Sequence, residues 1–321
     1  MRNYNLDWIR VFAMVGVIAD HYTGLFGMDW LRNCGLQVGG GNVTIFFVIS
    51  ALLFGTKWAK DEYHAFEPVS FLKKRVLRIY VPMWILILAV IPLEWWLAGR
   101  LEPTTIVANA VGAGWAKPFG ISGHLWYITM MMILYVGFII FSRIRLDRIK
   151  WYWWTVVFGV ILIGYYVLQG KLTTFSKAAP LMFLFFGCLM FAKVNDIIEY
   201  AKKYKVVVVT TTLALLALSM YVFILGWYDT HKAWATASAI ISGFWEFLAL
   251  YVCLNIKKDY RAIKWLAGIS YEIYLVHLPI IPLVGLLFDN PWLVLLAGNA
   301  LTIVLAVGLN KLSGNIAECI K

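Results

Sequence analysis

The sequence predicts an all-α polytopic integral membrane protein, a bundle of about ten transmembrane helices with both termini cytoplasmic. Three observations predict it. Of the 321 residues, 62% are hydrophobic and 14% charged, whereas about a quarter of a soluble domain is charged. Apolar runs long enough to cross a bilayer, or nearly so, recur at residues 7–28, 42–56, 78–98, 122–142, 152–168, 178–192, 205–226, 234–255, 265–288 and 291–311. The 28 lysines and arginines crowd alternate connections, as cytoplasmic segments require. With the N-terminus inside, only Arg32, Arg100, Lys117, Lys171, Lys177 and Lys232 fall on the far side, and only Arg10 within a span. Residues 1–321 read as a single transmembrane domain of the cell (inner) membrane.

Orientation therefore accounts for the net charge of +11, and no nucleic-acid partner is expected; the surrounding membrane lipid is. The first run carries charges and lacks a small-residue cleavage site, so it reads as a retained helix. The four cysteines are scattered, without the pairing of a disulfide framework or a metal motif. The cluster Trp151, Tyr152, Trp153 and Trp154 reads as an interfacial aromatic belt.

Within the first run, Arg10 and His21 lie eleven residues apart, so both project from one helix face about 16 Å apart along the axis. Titratable groups at membrane depth cost roughly 2.5 to 3.5 kcal/mol each, which makes them candidates for function. The plain alternative is an arginine snorkelling to the interface and a histidine satisfied between helices. Asp20, beside His21, would raise the basicity of the imidazole.

The second run follows Gly39-Gly40-Gly41-Asn42. Glycines there permit close backbone approach, and Asn42 is placed to cap the helix or to hydrogen-bond a polar substrate. Ser50, deeper in the run, reads as a helix-packing serine. Before the third run, Arg75 and Arg78 are three apart and share a helix face; guanidinium forks suit phosphate in a way that lysine does not. Positive-inside topology supplies arginines here too, but it does not explain their pairing with Arg10 on the same side.

Gly123-His124-Leu125-Trp126-Tyr127 stands at the outer end of the fourth run. Ser270-Tyr271-Glu272-Ile273-Tyr274-Leu275-Val276-His277 lies within the ninth. Of the five histidines, His21, His124 and His277 thus fall in or at the ends of spans. Their spacing does not make a local zinc motif, and no metal is expected. Glu246 in the eighth run is a further intramembrane carboxylate.

Taken together, Leu6-Asp7-Trp8-Ile9-Arg10 with His21, Phe46-Phe47-Val48-Ile49-Ser50, Arg75-Val76-Leu77-Arg78-Ile79-Tyr80, His124-Leu125-Trp126-Tyr127 and Tyr274-Leu275-Val276-His277 resemble the membrane acyltransferase-3 family. They occur in that family's order across nearly the whole chain. The resemblance implies an integral-membrane O-acyltransferase that takes an acyl group, commonly acetyl, from cytoplasmic acyl-coenzyme A to a hydroxyl of a cell-envelope glycan or related acceptor. An extracytoplasmic esterase-like domain, present in some members, has no room here. Departures from the family pattern are Ala51 after Ser50, Val81 before Pro82, and Asp20.

Acyl transfer to a hydroxyl needs a base, oxyanion donors and a site that holds both partners. On this reading His21 is the catalytic base or a transient acyl carrier, aided by Arg10. Arg75 and Arg78, with Arg10, would grip the donor phosphates. Asn42, His124, Trp126 and His277 would bind the acceptor or steady the oxyanion. The rival expectation is a proton-coupled secondary transporter or flippase, with His21, Glu246 and His277 as a relay. A scaffold for other envelope enzymes leaves the intramembrane polar residues unexplained.

Overall fold

The computed structural model describes residues 6–26, 38–99, 101–168, 179–224, 244–245, 247–249, 251–252, 255–256, 258 and 260–320. Among them every regular element is helical and no strand occurs. The helices are α1 (Leu6–Tyr22), α2 (Val38–Lys60), α3 (Pro68–Ala98), α4 (Pro103–Ala110), α5 (Trp126–Arg143), α6 (Trp151–Leu168), α7 (Ala179–Ala192), α8 (Val194–Lys203), α9 (Lys205–Ile224), α10 (Arg261–Gly285) and α11 (Pro291–Ile320). Among the described residues, five stretches are long and apolar enough to cross a membrane: Asn42–Lys60, Pro68–Leu97, Gly123–Arg143, Arg261–Gly285 and Pro291–Ile320. The chain is a multi-pass membrane protein. Most of the expected run at 234–255, including Glu246, lies outside the described residues.

Helix boundaries differ from the expectation in two informative places. α2 begins at Val38 and not at residue 42, so the glycine run and Asn42 sit inside the helix and Asn42 is no cap. Glycine permits a helix as readily as a turn, and in apolar surroundings the backbone must satisfy its own hydrogen bonds. α3 begins at Pro68, ten residues before the apolar run. Glu67 caps it by accepting hydrogen bonds from the Val69 and Ser70 amides at 3.1 and 2.5 Å, and Pro68 takes the first-turn position that proline favours. Arg75 and Arg78 therefore belong to one continuous helix. α8 was not expected at all, because it is amphipathic: Val194, Ile198 and Ala201 are buried while Lys202 and Lys203 are exposed.

The described residues group into two compact units. One holds α1, α2, the end of α5 from Gly137, and α6 to α9. Here α2 packs against α1 and α7. Asn42 lies so close over Gly16 of α1 that a methyl group there would overlap its amide. Further along, Gly55 lets α2 meet the backbone of α7: a Cβ at that position would stand 2.7 Å from the Phe191 carbonyl oxygen. Beside this contact, Trp58 and Phe138 stack on Phe191 with ring centroids 4.9 and 4.4 Å away. Because the obstacle is backbone, no rotamer relieves it. Gly55→Ala is expected to destabilise the protein by about 1–3 kcal/mol, read as a lower melting temperature in detergent.

The connection after α5 is tied to the rest of this unit by charge. Arg145, in the left-handed region with φ 52°, donates to both oxygens of Asp147 at 2.9 and 2.8 Å and lies 4.9 Å over the Tyr63 ring. Lys193 Nζ donates to the Asp147 carbonyl at 2.6 Å, and Asn195 Nδ2 to the Tyr63 hydroxyl at 3.0 Å. The hydrogen bonds from Arg145 hold the Asp147 carboxyl below the usual carboxylate range. A carboxyl lowered on folding stabilises above its unfolded pKa of about 3.9 and loses that contribution as pH falls through the folded value. The stability gap between wild type and Asp147→Asn should hold constant from pH 7 to about pH 5 and close below about pH 4, measured by melting in detergent.

The second unit holds α3, α4, the start of α5 to Val136, α10 and α11. α10 and α11 pack together, and both also contact α3. α11 buries one stripe, Val294, Gly298, Thr302, Ala306, Leu309 and Ser313, whose small residues allow close helix approach. The rest of its apolar surface is uncovered, with Leu296 67% and Val304 66% exposed. In a membrane protein such faces meet lipid.

Candidate active site

Arg10 and His21 project from α1 as the spacing requires. Met14 and Val17, between them on that face, are buried. The face carrying both residues is therefore turned into protein, while Phe12 and Val15 on another face are exposed. Arg10 lies 3.6 Å from Asp7, one turn earlier, and remains partly accessible. Thr23 Oγ1 donates to the Asp20 carbonyl at 2.6 Å and closes the end of the helix. Asn42, fully buried, belongs to the same unit through its contact with Gly16.

The other candidates lie in the second unit. Arg75 is half-buried, its guanidinium carbon 5.2 Å from the Phe71 ring centroid and 5.9 Å from that of Tyr135. These aromatic faces favour the cation and fix its direction. Arg78 is held differently. One nitrogen lies 2.8 Å from Glu272 Oε1, and another donates to Glu272 Oε2 at 3.4 Å and to the Gly268 carbonyl at 3.2 Å. Glu272 is wholly buried, whereas 48% of the Arg78 side chain is accessible. Sequence reasoning did not single out Glu272 as the partner of Arg78. The signal was present, since a carboxylate in an apolar helix demands a partner.

His124, in the short turn Gly123–Leu125 before α5, points onto α10. Its Nε2 donates to the Leu275 carbonyl at 3.1 Å, and the Tyr274 hydroxyl donates to the His124 carbonyl. His277 Nδ1 donates to the Tyr274 carbonyl at 2.6 Å, and the two imidazole centroids are 5.2 Å apart. A carbonyl oxygen can only accept, so each ring nitrogen facing one carries a hydrogen. In the neutral rings the basic nitrogens are then Nδ1 of His124 and Nε2 of His277. His124 and His277 are thus brought together in a buried cluster with Tyr274, while Trp126 stands beside it at the start of α5, less buried.

A second carboxylate also escaped the sequence reading. Glu94, buried near the end of α3, accepts from the Gly120 and Ile121 amides at 2.5 and 3.0 Å. It fixes the loop that leads into His124. A Cβ on Gly120 would stand 2.7 Å from the Glu94 carboxylate, which would have to shift to admit it. Among the described residues no group of three His, Cys, Asp or Glu side chains is arranged to hold a metal ion.

The arrangement is that of a multi-pass helical membrane protein with polar groups on the packed faces of its spans. A family model described as an acyltransferase domain, that of acyltransferase family 3, matches residues 3–311. The chain belongs to the acyltransferase-3 family, and an acyltransferase activity follows from it. No curated protein and no solved structure matches the chain. The transporter reading gains no support from these comparisons.

Proposed function

We propose that this protein is an O-acyltransferase of the inner membrane, moving an acyl group, commonly acetyl, from cytoplasmic acyl-coenzyme A to a hydroxyl of a cell-envelope glycan or related acceptor. The bundle would have ten spans with both termini cytoplasmic. The observation that carries the reading is the family match across residues 3–311. Bound acyl-coenzyme A would supply the activated acyl group and the phosphates by which it is gripped.

Arg75 and Arg78 would take those phosphates, since planar guanidinium forks bind phosphate oxygens in pairs. The half-exposed Arg78 suits that task better than a fully buried group would. His21 would accept the proton of the acceptor hydroxyl, an imidazole with an ordinary pKa of about 6.5 being poised to take and return it near neutrality. Arg10, on the same face of α1, would add positive charge where the carbonyl becomes negative. Asn42 and the His124–His277 cluster would orient the acceptor, with Trp126 as an apolar wall.

The test is turnover by purified protein reconstituted in lipid with labelled acetyl-coenzyme A and envelope glycan fractions. Acceptor-dependent loss of the thioester is expected. Absence of thioester loss with every fraction would overturn the reading. Arg75→Ala is expected to weaken coenzyme A binding by about tenfold or more, the loss of a charged hydrogen bond; unchanged affinity in calorimetry would remove Arg75 from the donor site.

A further inference from the structure

The first unit contains a cavity of about 680 Å³, within the size range of sites that take small apolar ligands. None of the residues assigned to the candidate active site lines it. Phe186, Leu189 and Met190 from α7, Val208 from α9 and Phe247 make most of its wall apolar, and α8 adds Ile197 and Tyr200. Its charged lining, Asp196, Glu199 and Lys203, comes from α8 alone. The cavity is therefore apolar on most sides and polar along one amphipathic helix.

The place of these residues in their helices fixes the depth of the cavity. Trp151, which also lines it, directly follows Lys150; Leu189 and Met190 stand about one turn before Lys193, and Val208 comes three residues after Lys205. Thus α6, α7 and α9 contribute the turns at their lysine-bearing ends, where apolar spans leave hydrocarbon for water. Aromatic residues mark the same level. The Tyr200 and Tyr204 rings lie 4.7 Å apart, Lys203 Nζ is 5.2 Å from the Tyr204 ring, and Lys193 Nζ is 5.9 Å from that of Trp151. An amphipathic helix with such residues suits the interfacial plane, its apolar face towards acyl chains and its lysines towards headgroups.

The charges at this level do not cancel. Lys193 is committed within the protein, donating to the Asp147 carbonyl at 2.6 Å and lying 3.5 Å from Asp196. Lys202, Lys203 and Lys205 are exposed and outnumber Glu199. An apolar recess with an excess of lysine at its polar end is complementary to a molecule that joins a hydrocarbon tail to an anionic head. We propose that the cavity binds one anionic phospholipid, a tail lying against α7, α9 and Phe247 and the phosphate resting on Lys202, Lys203 and Lys205. A neutral lipid would use the walls without the lysines, and a free phosphate the lysines without the walls. The bound lipid ties α8 to α7 and α9, so it stabilises the folded chain by mass action.

The experiment uses the full protein, delipidated in neutral detergent, with melting temperature and native mass spectrometry as readouts. The probes are phosphatidylglycerol and phosphatidylcholine with identical tails, and glycerol phosphate for the head alone. Wild type is expected to bind phosphatidylglycerol about tenfold or more tightly than phosphatidylcholine, because each lysine near an anionic headgroup adds affinity. Replacing Lys202, Lys203 and Lys205 together by glutamine should bring the two lipids close to parity, and Ile197→Trp, which fills the apolar part, should weaken phosphatidylglycerol binding. Equal affinity of wild type for the two lipids would mean annular lipid only and would overturn the proposal. Unchanged preference in the lysine variant, or unchanged affinity in a folded Ile197→Trp, would move the lipid elsewhere and overturn it too. Stabilisation by glycerol phosphate as large as that by phosphatidylglycerol would be equally fatal, since the apolar walls would then contribute nothing; that comparison needs only the unmodified protein.

Discussion

His21→Ala is expected to abolish acyl transfer in a protein that still folds, inserts and binds coenzyme A. A positioned general base contributes about 10²- to 10⁴-fold, and loss of a covalent carrier would cost more. The fold should survive because His21 lies one residue from the end of α1, beyond the buried Met14 and Val17 that seat its face, and is itself only partly covered. The assay is the rate of acceptor-dependent thioester loss beside the melting temperature of the same preparation. A variant that melts like wild type and turns over at the wild-type rate removes His21 from the chemistry. A pH profile would sharpen the result, since a histidine acting as base gives a rate that rises through its own titration and that His21→Gln does not reproduce.

Arg78→Ala is expected to be the most damaging single change for stability at the proposed donor site. It leaves Glu272 buried without its partner. Breaking a buried pair from one side costs about 3–5 kcal/mol, and the half-exposed guanidinium places this one near 3 kcal/mol. Removing both charges together is a different matter. The double variant Arg78→Ala with Glu272→Gln has no stranded charge and should recover most of the lost melting temperature. Arg75→Ala provides the contrast, because its guanidinium rests on the Phe71 and Tyr135 rings. If Arg78→Ala melts like wild type, the Arg78–Glu272 pair carries none of the load assigned to it.

How much of this was legible beforehand follows from what kind of interaction each feature is. The helical class and the positions of its long helices were legible because bilayer thickness imposes a length and an apolarity on every span. The start of α3 was legible in principle from Glu67 and Pro68, a cap and a first-turn proline, but an apolar window begins only where charge ends. α8 was missed for the same reason. The family was legible because its segments occur in order across the chain, and the match over residues 3–311 bears this out.

The pairing of site residues was another matter. Arg10 and His21 could be placed on one face from sequence because helix periodicity relates them within a single element. Nothing local joins Arg78 to a carboxylate 194 residues away, or His124 to a carbonyl 151 residues away. Glu94 and Glu272 stood in plain view as acids within apolar runs, yet their partners are a loop amide pair and an arginine on another helix. By itself the sequence determined that this chain is a helical membrane protein of the acyltransferase-3 kind, because hydropathy and motif order are properties read along a chain. Only the tertiary structure decided which buried charge each cation answers and which carbonyl sets each histidine tautomer, because in an apolar interior a polar group is satisfied by whatever stands within about 3 Å of it, however far away it is in the sequence.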